Sequence, residues 1–106
     1  MLSEEKIKSV VERIVQAAQP SKVILFGSYA RGNANENSDL DLMVIEKQVA
    51  DSGREMVRLR IVIGSIGTGV DVLVYSEAEF ERRSQVAGTV LHQAKSEGKV
   101  LYDAAA

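Results

Sequence analysis

The sequence contains no cysteine and a single histidine, His92. Disulfide bonds and thiolate metal sites are therefore excluded, and the lack of cysteine leads us to expect a cytoplasmic protein. One histidine cannot complete a catalytic triad without a cysteine or an evident nucleophilic serine. We interpret His92 as a surface or interface residue of the last helix.

An excess of basic charge and a long apolar run are also absent. Thirteen lysines and arginines face fifteen acidic residues, whereas proteins that bind nucleic acid through its phosphates usually carry a basic excess. No apolar run approaches the roughly 20 residues of a membrane span, and the polar N-terminus is unlike a signal peptide. We therefore expect no direct nucleic-acid binding and no membrane insertion. Small nucleotides remain plausible ligands, because a few donors and metal ions suffice to hold them.

The length of 106 residues predicts one domain, 1–106, with residues 103–106 as a frayed tail. Hydrophobic periodicity and turn residues predict the order α-β-loop-β-α-β-α-α with a short edge strand at 100–102. The segment 51–66 has both helical and strand periodicity. We choose a helix there because glycines follow it, and we place the last helix at 86–97. The fold class is a small α/β (α+β) domain whose mixed sheet has helices mainly on one face.

Three aspartates carry the first chemical signal. Asp39 and Asp41 are two residues apart at the start of a strand, so alternation places both on one face of the sheet. Asp71 lies inside a third strand, and the three carboxylates converge if the two strands are neighbours. Such a cluster repels itself. Magnesium ions relieve the repulsion, because Mg²⁺ combines a few carboxylates with phosphate oxygens, and two ions can clamp an in-line phosphoryl displacement.

The second signal is the turn that follows the first strand. Gly27 allows backbone to approach a ligand closely, and Ser28 offers a hydroxyl and an N–H at the start of a short helix, where anions bind favourably. The phosphates of a nucleotide are expected here. Arg31 is close enough to assist, or to pair with a nearby carboxylate.

Each of these motifs has a simpler interpretation when taken alone. Solvated aspartates at turns are commoner than metal ligands, and Gly-Ser is ordinary turn chemistry. Asp71 is more informative, because an unpaired carboxylate among apolar strand residues is costly. It could still lie at a strand end, or pair with Arg58 or Arg60.

The combination of these motifs is more specific than its parts. Gly27-Ser28, ten further residues, Asp39-Leu40-Asp41 and a later aspartate in an apolar strand resemble the DNA polymerase beta-like nucleotidyltransferase superfamily. The segments at 26–32 and 38–42 are similar to its minimal nucleotidyltransferase branch, the MntA-like antitoxins. The resemblance continues through 70–74 to 97–102, and so covers nearly the whole chain.

The resemblance implies roles for the matching residues. Asp39 and Asp41 would bind two Mg²⁺ ions, Asp71 would bind the catalytic ion and help to deprotonate the attacking hydroxyl, and Gly27 and Ser28 would hold the triphosphate. The nucleotide would be ATP, with pyrophosphate as the leaving group. The partner implied is a helical HEPN-domain toxin, to which some members of the branch transfer AMP on a tyrosine, so that this chain would act as the antitoxin.

Larger members of the superfamily have an additional C-terminal domain that holds the base and the acceptor. Too little chain follows Asp71 for such a domain, so we expect a partner to supply the acceptor, with the last helices as its docking face. Two alternatives remain open at this point. The chain could neutralise a toxin by binding alone, or it could modify a small molecule, as antibiotic-modifying relatives do.

Overall fold

The computed structural model describes all 106 residues. The chain forms five helices and four strands: α1 Glu4–Ala18, β1 Lys22–Phe26, α2 Ser28–Arg31, β2 Leu40–Glu46, α3 Ser52–Ile63, β3 Val70–Ser76, α4 Glu77–Arg83, α5 Val90–Glu97 and β4 Lys99–Asp103. None of the helices has the length and apolar character that crossing a membrane requires.

The four strands form one mixed sheet in the order β3-β2-β1-β4. Strand β1 is antiparallel to both β2 and β4, whereas β2 and β3 are parallel. Parallel neighbours need a crossover connection, and α3 provides it between β2 and β3. The predicted fold class, an α+β domain built on a mixed sheet, is therefore confirmed.

Helices cover the two faces of the sheet unequally. On the first face, α1 and α3 pack over the strands and form the larger cluster, which includes Ile14, Leu59 and Leu42. On the second face, α5 packs over a smaller cluster through Leu91 and Ala94, and α4 packs against the same cluster through Phe80. Because side chains alternate along a strand, Asp41 faces the same side as its neighbour Met43 in this smaller cluster. The carboxylates thus lie on the less covered face.

Several helix ends have the caps that the sequence predicts. The hydroxyl of Ser3 accepts a hydrogen bond from the Lys6 N–H at the start of α1. Ser76 accepts one from the Glu79 N–H at the start of α4. The ambiguous segment after Asp51 is a helix, and the Asp51 side chain caps it by accepting from the Arg54 N–H. These caps satisfy donors that a helix cannot pair internally.

Two expectations at the C-terminal end are wrong. Helix α5 begins at Val90 rather than at residue 86, because Thr89 caps it: the Thr89 hydroxyl accepts from the His92 N–H and donates to the Val86 carbonyl. Residues 103–104 are not frayed either. Asp103 ends β4, and the Ala104 N–H donates to the Ser21 carbonyl across 2.9 Å.

Glu46 at the end of β2 and Glu55 on α3 form a pair of neighbouring glutamates. Burial, followed by a hydrogen bond to Glu55 and the charge of Glu55, raises the pKa of Glu46 to about 7. Two hydrogen bonds from Arg58 hold Glu55, whose pKa is lowered chiefly by this contact. Glu46 Oε2 is buried and has no partner among fixed donors. A protonated Glu46 resolves this, because it can donate to the ionised Glu55.

Glu46→Gln should therefore change how stability depends on pH. A carboxyl group whose folded pKa is raised costs stability when it ionises, so the wild type should lose stability as pH rises from about 4.5 to about 7. Glutamine keeps the donor without the charge, so the variant should be more stable than the wild type at pH 8, with a smaller difference at pH 5. Urea denaturation at both pH values measures this, and an equal difference at both would contradict it.

Candidate active site

The parallel pairing of β2 with β3 brings the predicted carboxylates together. Asp41 lies directly opposite Asp71 in the register of the two strands, and Phe26 lies opposite Asp41 on the other side. Asp39 precedes β2 by one residue. The condition set from the sequence, that the two strands must be neighbours, is met.

Burial and neighbouring charges both act on the central carboxylate, Asp41. The pKa of Asp41 is raised to about 6, first by burial, then by the charge of Asp71 and a hydrogen bond to it, and then by the charge of Asp39. The charge of Arg31 acts in the opposite direction. Asp41 is half-buried, whereas Asp39 and Asp71 are exposed. The cluster therefore holds more negative charge than its own surroundings neutralise.

The backbone of Gly27 lies against the carboxylate of Asp41. A Cβ atom at this position would overlap the Asp41 side chain, and the φ of +74° is one that favours glycine. Helix α2 starts immediately afterwards, so Ser28 is its first residue. Gly27 thus contacts the central aspartate, and Ser28 is the next residue along the chain. These are the two residues expected to hold phosphates.

Gly69 has the same relation to Asp39, and we did not identify it from the sequence. A Cβ atom on Gly69 would overlap the Asp39 carboxylate, although its φ is outside the left-handed region. Two hydrogen bonds fix this approach. The Leu40 N–H donates to the Gly69 carbonyl across 2.9 Å, and the Thr68 hydroxyl donates to the Ser38 carbonyl across 3.1 Å. The signal in the sequence is the position of Gly69 two residues before Asp71, matching Asp39 before Asp41.

The arginines near the site have different partners from those first considered. Arg31 forms a loose ion pair with Glu97, with Nη1 3.9 Å from Oε2, and both side chains are largely exposed. Arg58 is held by Glu55 and is therefore not the partner of Asp71. Arg60 has no acidic partner within ion-pair distance. Arg31 is consequently the cation whose charge acts on Asp41.

His92 has a structural environment. Its Nδ1 donates to the Ser84 carbonyl across 2.9 Å, and its Nε2 lies 3.3 Å from the Ser96 hydroxyl. The bond to Ser84 joins the end of α4 to α5, and the contact with Ser96 lies within α5. They are consistent with the interpretation that His92 takes no part in chemistry.

The three carboxylates suit the coordination preferences of a divalent cation such as Mg²⁺. No group of three or more histidine, cysteine or acidic side chains forms a ready-made metal cage. Mg²⁺ seldom uses such a cage, since it binds one or two carboxylates together with substrate phosphates and water. The crowded Asp41, with Asp39 and Asp71 beside it, offers hard oxygen ligands and excess negative charge. The donor set therefore suits a cation that arrives with phosphate.

The comparison with protein families matches residues 4–103 to the nucleotidyltransferase domain. The chain belongs to this family. The enzyme class predicted from the sequence, a nucleotidyltransferase, is confirmed, and so is the resemblance on which the prediction depended.

Individual relatives of this nucleotidyltransferase agree with the family assignment. It is 29% identical over 104 residues to a Methanocaldococcus jannaschii protein, MJ0604, whose name proposes a protein adenylyltransferase; the match covers 96% of this chain and 100% of the relative. Among solved structures, it is similar to a proposed nucleotidyltransferase from Sulfolobus solfataricus, with a TM-score of 0.67, 22% identity and coverage of 95% and 80% of the two chains.

The fold is also similar to that of two toxin–antitoxin crystal structures. A complex with AMP-PNP has a TM-score of 0.59 and 24% identity, with coverage of 91% of this chain and 73% of that chain. An MntA-HpeT mutant has a TM-score of 0.59 and 24% identity, with coverage of 96% and 74%. At these identities the likeness establishes the shared fold.

Gly69→Ala should displace the Asp39 carboxylate. The overlap with Cβ should cost about 1–3 kcal/mol of stability, the size typical of overpacking, and it should reduce the rise in melting temperature caused by Mg²⁺ with ATP. Gly53→Ala is the matched control, because its Cβ would meet only the Asp51 carboxylate at 3.6 Å. In an Asp39→Ala background the penalty of Gly69→Ala should disappear. A penalty that persists there would mean that Gly69 acts on something other than Asp39.

Proposed function

We propose that this nucleotidyltransferase transfers AMP from ATP to a hydroxyl group of a protein partner, with Mg²⁺ as cofactor. The observation that carries the proposal is the carboxylate cluster Asp39, Asp41 and Asp71 beside the Gly27-Ser28 turn. Burial, and then the charges of Asp71 and Asp39, raise the pKa of Asp41 to about 6. A cluster of this kind favours a bound cation and anionic phosphates over an empty state.

The residues divide into a phosphate side and an acceptor side. Gly27 and Ser28 would hold the triphosphate through backbone N–H groups and the Ser28 hydroxyl, with Arg31 released from Glu97 to assist. Asp39 and Asp41 would hold one or two Mg²⁺ ions, together with Asp71. The bound cation would neutralise charge on the phosphates in the transition state.

In the proposed reaction the acceptor oxygen forms a bond to the α-phosphorus of ATP. The bond from that phosphorus to the oxygen bridging to the β-phosphorus breaks, and pyrophosphate leaves. The hydroxyl proton passes to Asp71, the exposed carboxylate at the β3 end of the row. Proximity and charge stabilisation supply most of the catalysis in such transfers.

We infer that the acceptor belongs to a HEPN-type toxin and that the chain is its antitoxin, with a tyrosine as the modified residue. Two findings support this. One relative, which this chain matches over the relative's whole length, has a name that proposes a protein adenylyltransferase. Two structures of the same fold are toxin–antitoxin complexes, one of them containing an ATP analogue.

The test is mass spectrometry of the purified partner after incubation with this protein, Mg²⁺ and ATP. The wild type should add mass equal to whole AMP units, and Asp41→Asn should slow the transfer about 100-fold or more, as expected for loss of a preorganised charge in the site. Asp103→Asn is the control, because it makes the same substitution at the end of β4. An unmodified partner under saturating ATP would argue for neutralisation by binding alone.

Stability provides an independent readout of the same variant. Asp41→Asn removes a charge that burial and Asp71 disfavour, so it should raise the melting temperature in the absence of metal. It should also abolish the further rise that Mg²⁺ with ATP causes by binding the folded state. If that rise survives in Asp41→Asn, the cation binds elsewhere.

A further inference from the structure

We propose that the groove between α3 and the β3 edge of the site is the acceptor-binding surface, and that it takes an extended polypeptide segment carrying the reactive hydroxyl. This inference rests on the proposed function and names the surface that receives its second substrate. The surface consists of Val57, Arg60 and Ile61 on α3, next to Asp71.

The direction of the reaction selects this side of the site. Phe26, Asp41 and Asp71 form a row across three adjacent strands, and Gly27-Ser28 follows directly on Phe26. Pyrophosphate bound by that turn would therefore leave toward β1. Attacking and leaving oxygens lie roughly in line on opposite sides of phosphorus, so the hydroxyl must approach from β3.

Strand β3 is at the edge of the sheet, and a groove runs along it. One hollow of about 420 Å³ is lined by Asp41 and Asp71 and, from α3, by Met56, Val57 and Arg60. A second hollow of about 370 Å³ shares Val57 and Arg60 and continues to Ile61. The acceptor-side carboxylate is therefore connected to α3 by a continuous depression.

The α3 side chains that border this groove include exposed apolar residues, as binding surfaces do. Val57 is 60% exposed and Ile61 is 75% exposed, and their spacing of four residues places them on one side of the helix. Exposed apolar side chains that cluster beside a cleft mark binding surfaces more often than isolated ones do. In the last helices, where we expected docking, Leu91 and Ala94 are buried, and the exposed apolar residue of that region, Val86, precedes α5.

Charge indicates the composition of the occupant. Arg60 is exposed and forms no ion pair, whereas Arg58 on the same helix is held by Glu55. An acidic side chain in the bound segment would pair with Arg60, and aliphatic or aromatic residues would cover Val57 and Ile61. A nucleic-acid acceptor fits less well, because a single arginine and three aspartates offer little attraction to a polyanion.

The experiment uses the full chain and the purified HEPN-type partner of the proposed function, with AMP transfer measured by mass spectrometry. The double variant Val57→Asp with Ile61→Asp should raise the KM for the partner at least tenfold, while the melting-temperature rise with Mg²⁺ and ATP stays as in the wild type. Arg60→Glu should raise the KM for the partner in the same way. Arg60→Lys keeps the positive charge, so its KM should stay close to that of the wild type. Val100→Asp is the control, because Val100 is 54% exposed on β4 at the opposite edge.

The outcomes separate this inference from the proposed function. Variants on α3 that transfer AMP with the same KM as Val100→Asp would overturn the acceptor surface while leaving the function intact. If the wild type binds the partner without modifying it, calorimetric titration of the same variants decides. Weaker binding by the α3 variants would support the proposed surface. Unchanged binding would overturn the surface, as a result separate from the failure of the transfer reaction.

Discussion

The repulsion between Asp41 and Asp71 is the constraint on which the arrangement of this site depends. Parallel pairing of β2 with β3 places the two carboxylates directly opposite each other, and burial of Asp41 prevents water from screening them fully. A fold selected for stability alone would separate these charges. The cost is understandable if a cation and phosphates bind there, since they convert the destabilising cluster into a binding site.

Two glycines hold the carboxylates in place by leaving room for them. Gly27 lies against Asp41 and Gly69 against Asp39, so loops before α2 and β3 enclose the pair from two sides. Backbone contacts of this kind orient a side chain without adding another charge to a crowded site. They also place the Ser28 end of the site beside β1 and leave its Asp71 end at the sheet edge. The two substrates of the proposed transfer would therefore enter from different sides, the nucleotide at the Ser28 end and the acceptor at the Asp71 end.

The sheet's uneven coverage explains why the site is open. The larger cluster under α1 and α3 supplies most of the core, whereas α4 and α5 cover only part of the opposite face. The carboxylates lie on that second face, and the groove beyond Asp71 is bordered by exposed Val57 and Ile61. Under the proposed function, a protein acceptor bound at this opening would itself exclude water from the site.

The sequence by itself determined most of the elements, the fold class and the candidate site residues that the fold brings together. Local signals sufficed, because capping residues, alternation and the Gly27-Ser28 and Asp39-x-Asp41 spacings act over short stretches of chain. Only the tertiary structure decided that β2 and β3 are parallel neighbours, that Gly69 contacts Asp39, that Arg58 pairs with Glu55, and that Val57 and Ile61 border the site. Those facts depend on strand register and on side chains distant in sequence, and periodicity contains no information about either. The start of α5 was misjudged for a related reason, since the Thr89 cap competed with an apolar pattern that begins earlier.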